Sequence, residues 1–180
     1  ANAEKIVGQL PPEQKIIFGP DRNLGAYIAR KTGREMVLWP GVCEVHILFD
    51  ERAIRKLKRE HPDAEVIAHP ECEDHVLRLA DFVGSTTGLI KRAKSSDRRT
   101  FVVVTEPGVI HQMRKECPDK TFIEAPVKAG QCACNQCRYT RLNTLERLYR
   151  CMEDGAPEIT VPEDIRVRAL KPIERMLAMS

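Results

Sequence analysis

Very little in these 180 residues could stack on a nucleobase: aromatic side chains make up 5% of the chain, and a formal net charge of +3 is small for its size. With neither a basic stripe nor a set of rings, no nucleic-acid partner is expected. Long apolar runs are missing too, none approaching the ~20 residues that cross a bilayer. The opening residues lack the charged, apolar and small-residue succession of a signal peptide. No membrane partner is expected, and cytoplasm is the expected compartment. An initiator Met is absent, and residues 1–7 enter a helical pattern without a capping prelude, so the chain is expected to be an excerpt. What remains is an ordinary globular composition, 42% hydrophobic and 31% charged, able to bury one good core or two small ones.

The surplus is cysteine, seven in all. In a chain of cytosolic composition they argue for metal or redox chemistry, because reducing compartments keep thiols free. Around them strand and helix patterns alternate. Residues 15–18, 36–39, 65–68, 82–84 and 101–104 predict strands, and residues 24–30, 50–60, 74–81 and 89–94 predict helices. Such alternation predicts an α/β fold with a parallel sheet covered on both faces. An internal repeat is also visible. Residues 15–21, a helix, residues 36–40 and Cys43 recur in order as residues 100–106, a helix, residues 121–126 and the cysteines up to Cys137. Both copies read as strand, proline, cysteine, helix. That order predicts thiols delivered to one shared point, with a helix N-terminus favouring thiolate.

Cys132-Ala133-Cys134-Asn135-Gln136-Cys137 is the densest chemical signal. Its spacing suits a structural zinc site, a dithiol switch between Cys134 and Cys137, or an iron–sulfur site. Zinc would need a further soft ligand, for which Cys43 or His46 is available, and the chain has no second Cys-x-x-Cys. A cluster with ligands at equivalent positions of the repeat fits better than either alternative. His46, three residues after Cys43, can face the same side of one turn. His69-Pro70-Glu71 follows a strand, where open α/β sheets bind ligands, and a carboxylate beside an imidazole there suits proton abstraction; the plainer reading is a turn with a capping Glu. Gly84-Ser85-Thr86-Thr87-Gly88, between strand and helix, offers hydroxyls and backbone N–H groups to phosphate or carboxylate. It lacks the Lys of a nucleotide loop, and its plainer reading is helix capping. The corners at residues 21–25 and 106–108 read as fold-determining turns first and active-site edges second, and Cys72 and His75 as packing or helix-surface residues. Cys117 and Cys151 receive no role.

Taken in order, Gly19-Pro20-Asp21-Arg22-Asn23-Leu24-Gly25, Trp39-Pro40-Gly41-Val42-Cys43-Glu44-Val45-His46 and His69-Pro70-Glu71 resemble the quinolinate synthase family. The resemblance continues through Ala80-Asp81-Phe82-Val83-Gly84-Ser85-Thr86, Thr105-Glu106-Pro107-Gly108, Cys134-Asn135-Gln136-Cys137 and Asn143-Thr144-Leu145. It implies repeated three-layer αβα units with parallel sheets around a pseudo-threefold axis, each unit giving one cysteine to a 4Fe-4S cluster. Residues 1–43 would end one unit, 44–137 form a second, and 138–180 make a helical return segment. Cys43 and Cys137 would be two of the three cluster ligands, leaving Cys132 and Cys134 spare. After the last cysteine the family usually has Pro and then Met-Lys, where this chain has Arg138 and Thr140-Arg141.

The implied reaction condenses iminoaspartate with dihydroxyacetone phosphate to quinolinate, losing phosphate and water, in NAD biosynthesis, with aspartate oxidase as supplier. Glu71 would be the general base, His69 and His46 would bind substrate oxygens, and Ser85 with Thr86 would hold a carboxylate or phosphate. The family's first domain, with the third cysteine, is expected to lie outside these residues, so the chain alone is expected to be nearly inactive. The alternative of another class is a non-catalytic metal- or thiol-binding α/β module.

Overall fold

Seen in a computed structural model that describes residues 2–128, 130 and 135–180, the protein divides into two units, one of Pro12–Gln136 and one of Asn2–Pro11 with Cys137–Ser180. The second unit opens the chain with α1 (Ala3–Gly8). In the first unit, β1 (Ile17–Phe18) and β2 (Val37–Leu38) pair in parallel around α2 (Arg22–Thr32). Asp21 starts α2 by accepting the Leu24 N–H, and Gly33, at φ 66°, ends it in the left-handed conformation that a side chain would disfavour. Phe18 and Leu38 face α2 at Gly25, where a Cβ would come within 2.9 Å and 2.7 Å of them. The opposite face of this small sheet is bare: Ile17 is 81% and Val37 66% exposed.

The chain then runs α3 (Glu51–Glu60), β3 (Glu65–Ala68), α4 (Asp74–Leu77), β4 (Phe82–Val83), α5 (Thr86–Ser95), β5 (Thr100–Val104), α6 (Gly108–Glu116) and β6 (Thr121–Glu124). The four strands form one parallel sheet in the order β4-β3-β5-β6. Alternation along the central strands divides the core into two layers. Val66, Ala68, Val102 and Val104 pack with Ile54, Val76 and Leu77 of α3 and α4. Ile67, Phe101 and Val103 pack with Leu89, Ala93, Ile110 and Met113 of α5 and α6. The fold is α/β, with parallel strands between helical layers, as the alternation predicts.

Two local expectations fail. The helix predicted over 74–81 ends at Leu77, because the chain must reverse into β4; Leu79 and Ala80 close tight turns on Val76 and Leu77, and Asp81 accepts the Val66 N–H at 2.9 Å. No helix follows Cys43 directly. Residues 43–48 form turns, and α3 begins only at Glu51, where Asp50 accepts the N–H groups of Arg52 and Ala53. The expected helix N-terminus beside the Cys43 thiol is therefore absent. In the second unit, a short 3-10 turn (Thr140–Leu142) leads to α7 (Leu145–Asp154) and α8 (Glu163–Ala178), and every residue from 138 to 178 is exposed. Gln9, just past α1, donates to the Met179 carbonyl at 2.7 Å. Among the described residues no helix is long and apolar enough to cross a membrane.

Candidate functional site

Parallel pairing brings the ends of β3, β4 and β5 to one edge of the sheet, with Ala68 in register with both Val83 and Val104. The residues that follow these ends must leave the sheet, so their side chains gather over that edge. After β3 come His69 and Glu71; after β5 comes Thr105. His69 is tied to the next strand by its N–H, which donates to the Val104 carbonyl at 3.1 Å.

His46 reaches the same point from the turns after Cys43. Its N–H donates to the Cys43 carbonyl at 3.1 Å, and the buried Val45 and Phe49 anchor the segment. Asp21 holds the thiol's backbone. One oxygen of this buried carboxylate accepts the Cys43 N–H at 2.8 Å while the other accepts the Leu24 N–H at 2.7 Å. Asn23, one turn position on, donates to the Glu71 carbonyl at 3.1 Å. Gly41 lets the loop lie flat on this corner, since a Cβ there would meet the Pro20 carbonyl at 2.5 Å. The corner between β1 and α2 thus positions both Cys43 and Glu71.

At the centre, His46 Nδ1 lies 3.0 Å from Glu71 Oε2, and His46 Nε2 lies 3.0 Å from Thr105 Oγ1. The His46 ring stacks on His69 at 4.6 Å between centroids, and His69 Nδ1 is 3.7 Å from Glu71 Oε2. Burial works against a charge on His46, yet Cys43 and Glu71 beside it outweigh that and raise its pKa to about 9. For His69 burial and then the neighbouring charge of His46 act together, lowering it to about 4. Glu71 is held below the usual carboxylate range, chiefly by its contact with His46. One imidazolium, one neutral imidazole and one carboxylate therefore share a half-closed site beside a thiol. Two stacked rings of one residue type are driven to opposite protonation states, the pattern that separates a donor from an acceptor.

The remaining sequence-predicted residues fall as follows. Ser85 caps α5, its Oγ accepting the Gly88 N–H at 3.3 Å, and Thr86 opens that helix on the same sheet edge. Cys137 belongs to the second unit, its carbonyl accepting from Thr140 Oγ1 at 3.0 Å and the Arg141 N–H at 3.2 Å. Cys132 and Cys134 lie outside the described residues. Cys72 is fully buried in the apolar core, and burial pushes its thiol up and out of reactivity. Sequence reasoning placed Asp21 and Asn23 in a corner read as an active-site edge only second, and gave Thr105 no role of its own. An Asp directly before a helix was legible as a cap, and a hydroxyl directly after a buried strand as a sheet-edge group. Their tertiary partners were not.

The quinolinate synthetase A protein family model matches residues 1–178. A quinolinate synthase of Microcystis aeruginosa is 59% identical over all 180 residues, which cover 56% of that protein. Proteins of the same name from Thermosynechococcus vestitus and Chloroherpeton thalassium are 59% and 56% identical, again over the whole of this chain and 56% of theirs. The chain thus spans little more than half the length of the curated relatives it matches. With the matched model covering nearly every residue, the chain belongs to the quinolinate synthetase A family.

Proposed function

We propose that these residues form the part of a quinolinate synthase that carries the base and two cluster ligands, in an enzyme that condenses iminoaspartate with dihydroxyacetone phosphate. The observation that carries the reading is the convergence of Glu71, His69 and His46 beside Cys43 at the ends of parallel strands. Glu71 takes the proton from the carbon next to a carbonyl, and His69, neutral and within reach of the same oxygen, accepts or relays it. His46, cationic and held by Thr105, donates to a substrate oxygen. Ser85, Thr86 and the free N–H groups at the start of α5 bind a carboxylate or phosphate.

The donor set fits a cationic iron centre. Cys43 is a half-buried thiol, and the ring nitrogen that faces it and Glu71 has no aligned hydrogen-bond partner. Cys43 and Cys137 would hold a 4Fe-4S cluster, with a third thiolate from outside these residues. When bound, such a cluster supplies an open iron position, a Lewis acid for a substrate carboxylate or hydroxyl.

Anaerobic reconstitution with iron and sulfide tests the ligands. Broad visible absorption lost in Cys43→Ala and Cys137→Ala but kept in Cys132→Ala supports the reading; stoichiometric zinc that tracks Cys132 and Cys134 overturns it. In the polypeptide completed to the relatives' full length, Glu71→Gln should lower kcat by about 10²–10⁴ with substrate binding retained. A Glu71→Gln enzyme of unchanged kcat would remove Glu71 from the mechanism.

A further inference from the structure

A carboxylate only 5% exposed, that of Asp21, sits between the start of α2 and the turn that carries the Cys43 thiol. Both of its oxygens accept hydrogen bonds, Oδ1 from the Leu24 N–H at 2.7 Å and Oδ2 from the Cys43 N–H at 2.8 Å. Capping α2 requires only the first, which a neutral asparagine or serine supplies as well. Two acceptor oxygens engaged at once is the pattern of an ionised carboxylate, and among the described residues no cation pairs with it. Burying such a charge is unfavourable, and the N-terminus of α2 offsets only part of the cost. The charge lies one hydrogen bond from the backbone of Cys43. We propose that Asp21 is a positioning residue for the iron–sulfur cluster: its carboxylate fixes the Cys43 backbone and, through its charge, lowers the reduction potential of the cluster that Cys43 ligates, holding the iron oxidised. The inference rests on the reading of Cys43 as a cluster ligand.

Reduction adds one electron to a cluster, and a negative charge nearby opposes that addition. Net charge, hydrogen bonds to the sulfurs and solvent exposure are what set a cluster's potential. Away from water, a unit charge acts over a few ångströms more strongly than at a surface. The field of Asp21 already reaches one sulfur in this interior. Burial pushes the Cys72 thiol up first, and the charges of Glu71, Cys43 and Asp21 add to it. The direction of the Cys43 amide acts in the same sense. Engaged by Asp21, its N–H is withheld from the sulfurs of a cluster, where it would stabilise the added electron. Both effects lower the potential. The outcome suits the proposed condensation, in which loss of phosphate and water transfers no electron to or from iron, and oxidised iron is the stronger Lewis acid.

The test uses the polypeptide completed to the relatives' full length and reconstituted anaerobically with iron and sulfide. Its one-electron potential is read by dye-mediated titration, followed by visible absorption and by the paramagnetic resonance of the reduced cluster. Asp21→Asn keeps an oxygen for the Leu24 N–H but removes the charge, leaving the N-terminus of α2 unopposed. It should raise the ratio of reduced to oxidised cluster at a fixed poise at least 10-fold, a shift of about 59 mV for one electron. Asp21→Ser, a smaller neutral cap, carries the same expectation should Asp21→Asn fail to load. Asp21→Glu, which keeps the charge, should lie closer to the unsubstituted protein than to Asp21→Asn. Asp50→Asn alters a carboxylate that caps α3 instead, and it should leave the potential unchanged. Circular dichroism and iron content establish that each protein is folded and loaded. A purely structural role for Asp21 would change stability and iron content and leave the potential of the loaded fraction where it was. An unshifted potential in the neutral variants, or a shift that Asp50→Asn reproduces, overturns the proposal and leaves the cluster reading intact. A polypeptide that takes up no cluster, or a cluster that survives Cys43→Ala, overturns both.

Discussion

A hydroxyl at the end of one strand and a thiol in the turn beyond another do opposite work. Thr105 is buried and spends its oxygen on His46, so Thr105→Val leaves a buried ring nitrogen without its partner. The expected loss is about 1–3 kcal/mol, measured by urea denaturation of the metal-free chain. Cys72 sits against the Val104 carbonyl with no exposure, and its raised pKa keeps it a thiol at any physiological pH. Ellman's reagent should therefore label Cys43 and the exposed Cys151 in the native chain and reach Cys72 only after denaturant is added. Rapid native labelling of Cys72, read by peptide mass mapping, would contradict its burial. The sequence already marked Cys72 as packing and Glu71 with His69 as a sheet-edge pair. It left Thr105 unassigned, because its partner His46 lies 59 positions away in the chain and meets it only through the tertiary fold.

Two aspartates illustrate what an element's first turn can carry. The Asp50 carboxylate caps α3, so Asp50→Ala, which keeps the backbone bond to Pro126, should cost about 1 kcal/mol. Asp21 caps α2 and also accepts the Cys43 N–H from a buried position, so Asp21→Ala adds an unsatisfied donor, worth about 1–3 kcal/mol more. Equal destabilisation of the two variants would mean the Asp21–Cys43 bond contributes nothing. A similar contrast separates the sheets. Ile54→Ala empties a fully buried place between α3 and β3 and should cost about 2–5 kcal/mol. Ile17→Thr, on the bare face of β1, should stay within about 0.5 kcal/mol. Strand positions were legible because β-branched runs bounded by Gly, Pro and Asp admit few readings. Helix ends were less so: Arg78-Leu79-Ala80-Asp81 after Leu77 keeps a helical pattern, and only the demand of β4 for a return path stops it. The turns at 43–48 escaped prediction for the related reason that the repeat suggested a helix where tertiary anchoring by Val45 and Phe49 decides the path.

At the scale of the molecule, stability is unevenly distributed. Both core layers lie on β3 and β5, whereas residues 138–178 bury no side chain. Amide hydrogen exchange should be slowest in β3 and β5 and fast throughout α7 and α8; protection of α8 equal to that of β5 would show that this distribution is wrong. The bare face of the β1–β2 pair has a further use. Trp39, the only tryptophan in the chain, follows β2 and is 60% exposed, with its ring lying over the Gly41 position that leads into Cys43. The molecule therefore carries its own optical gauge at this corner. Emission from one fluorophore, red-shifted while the face is wet and blue-shifted once anything covers it, reads out the state of that surface without a label.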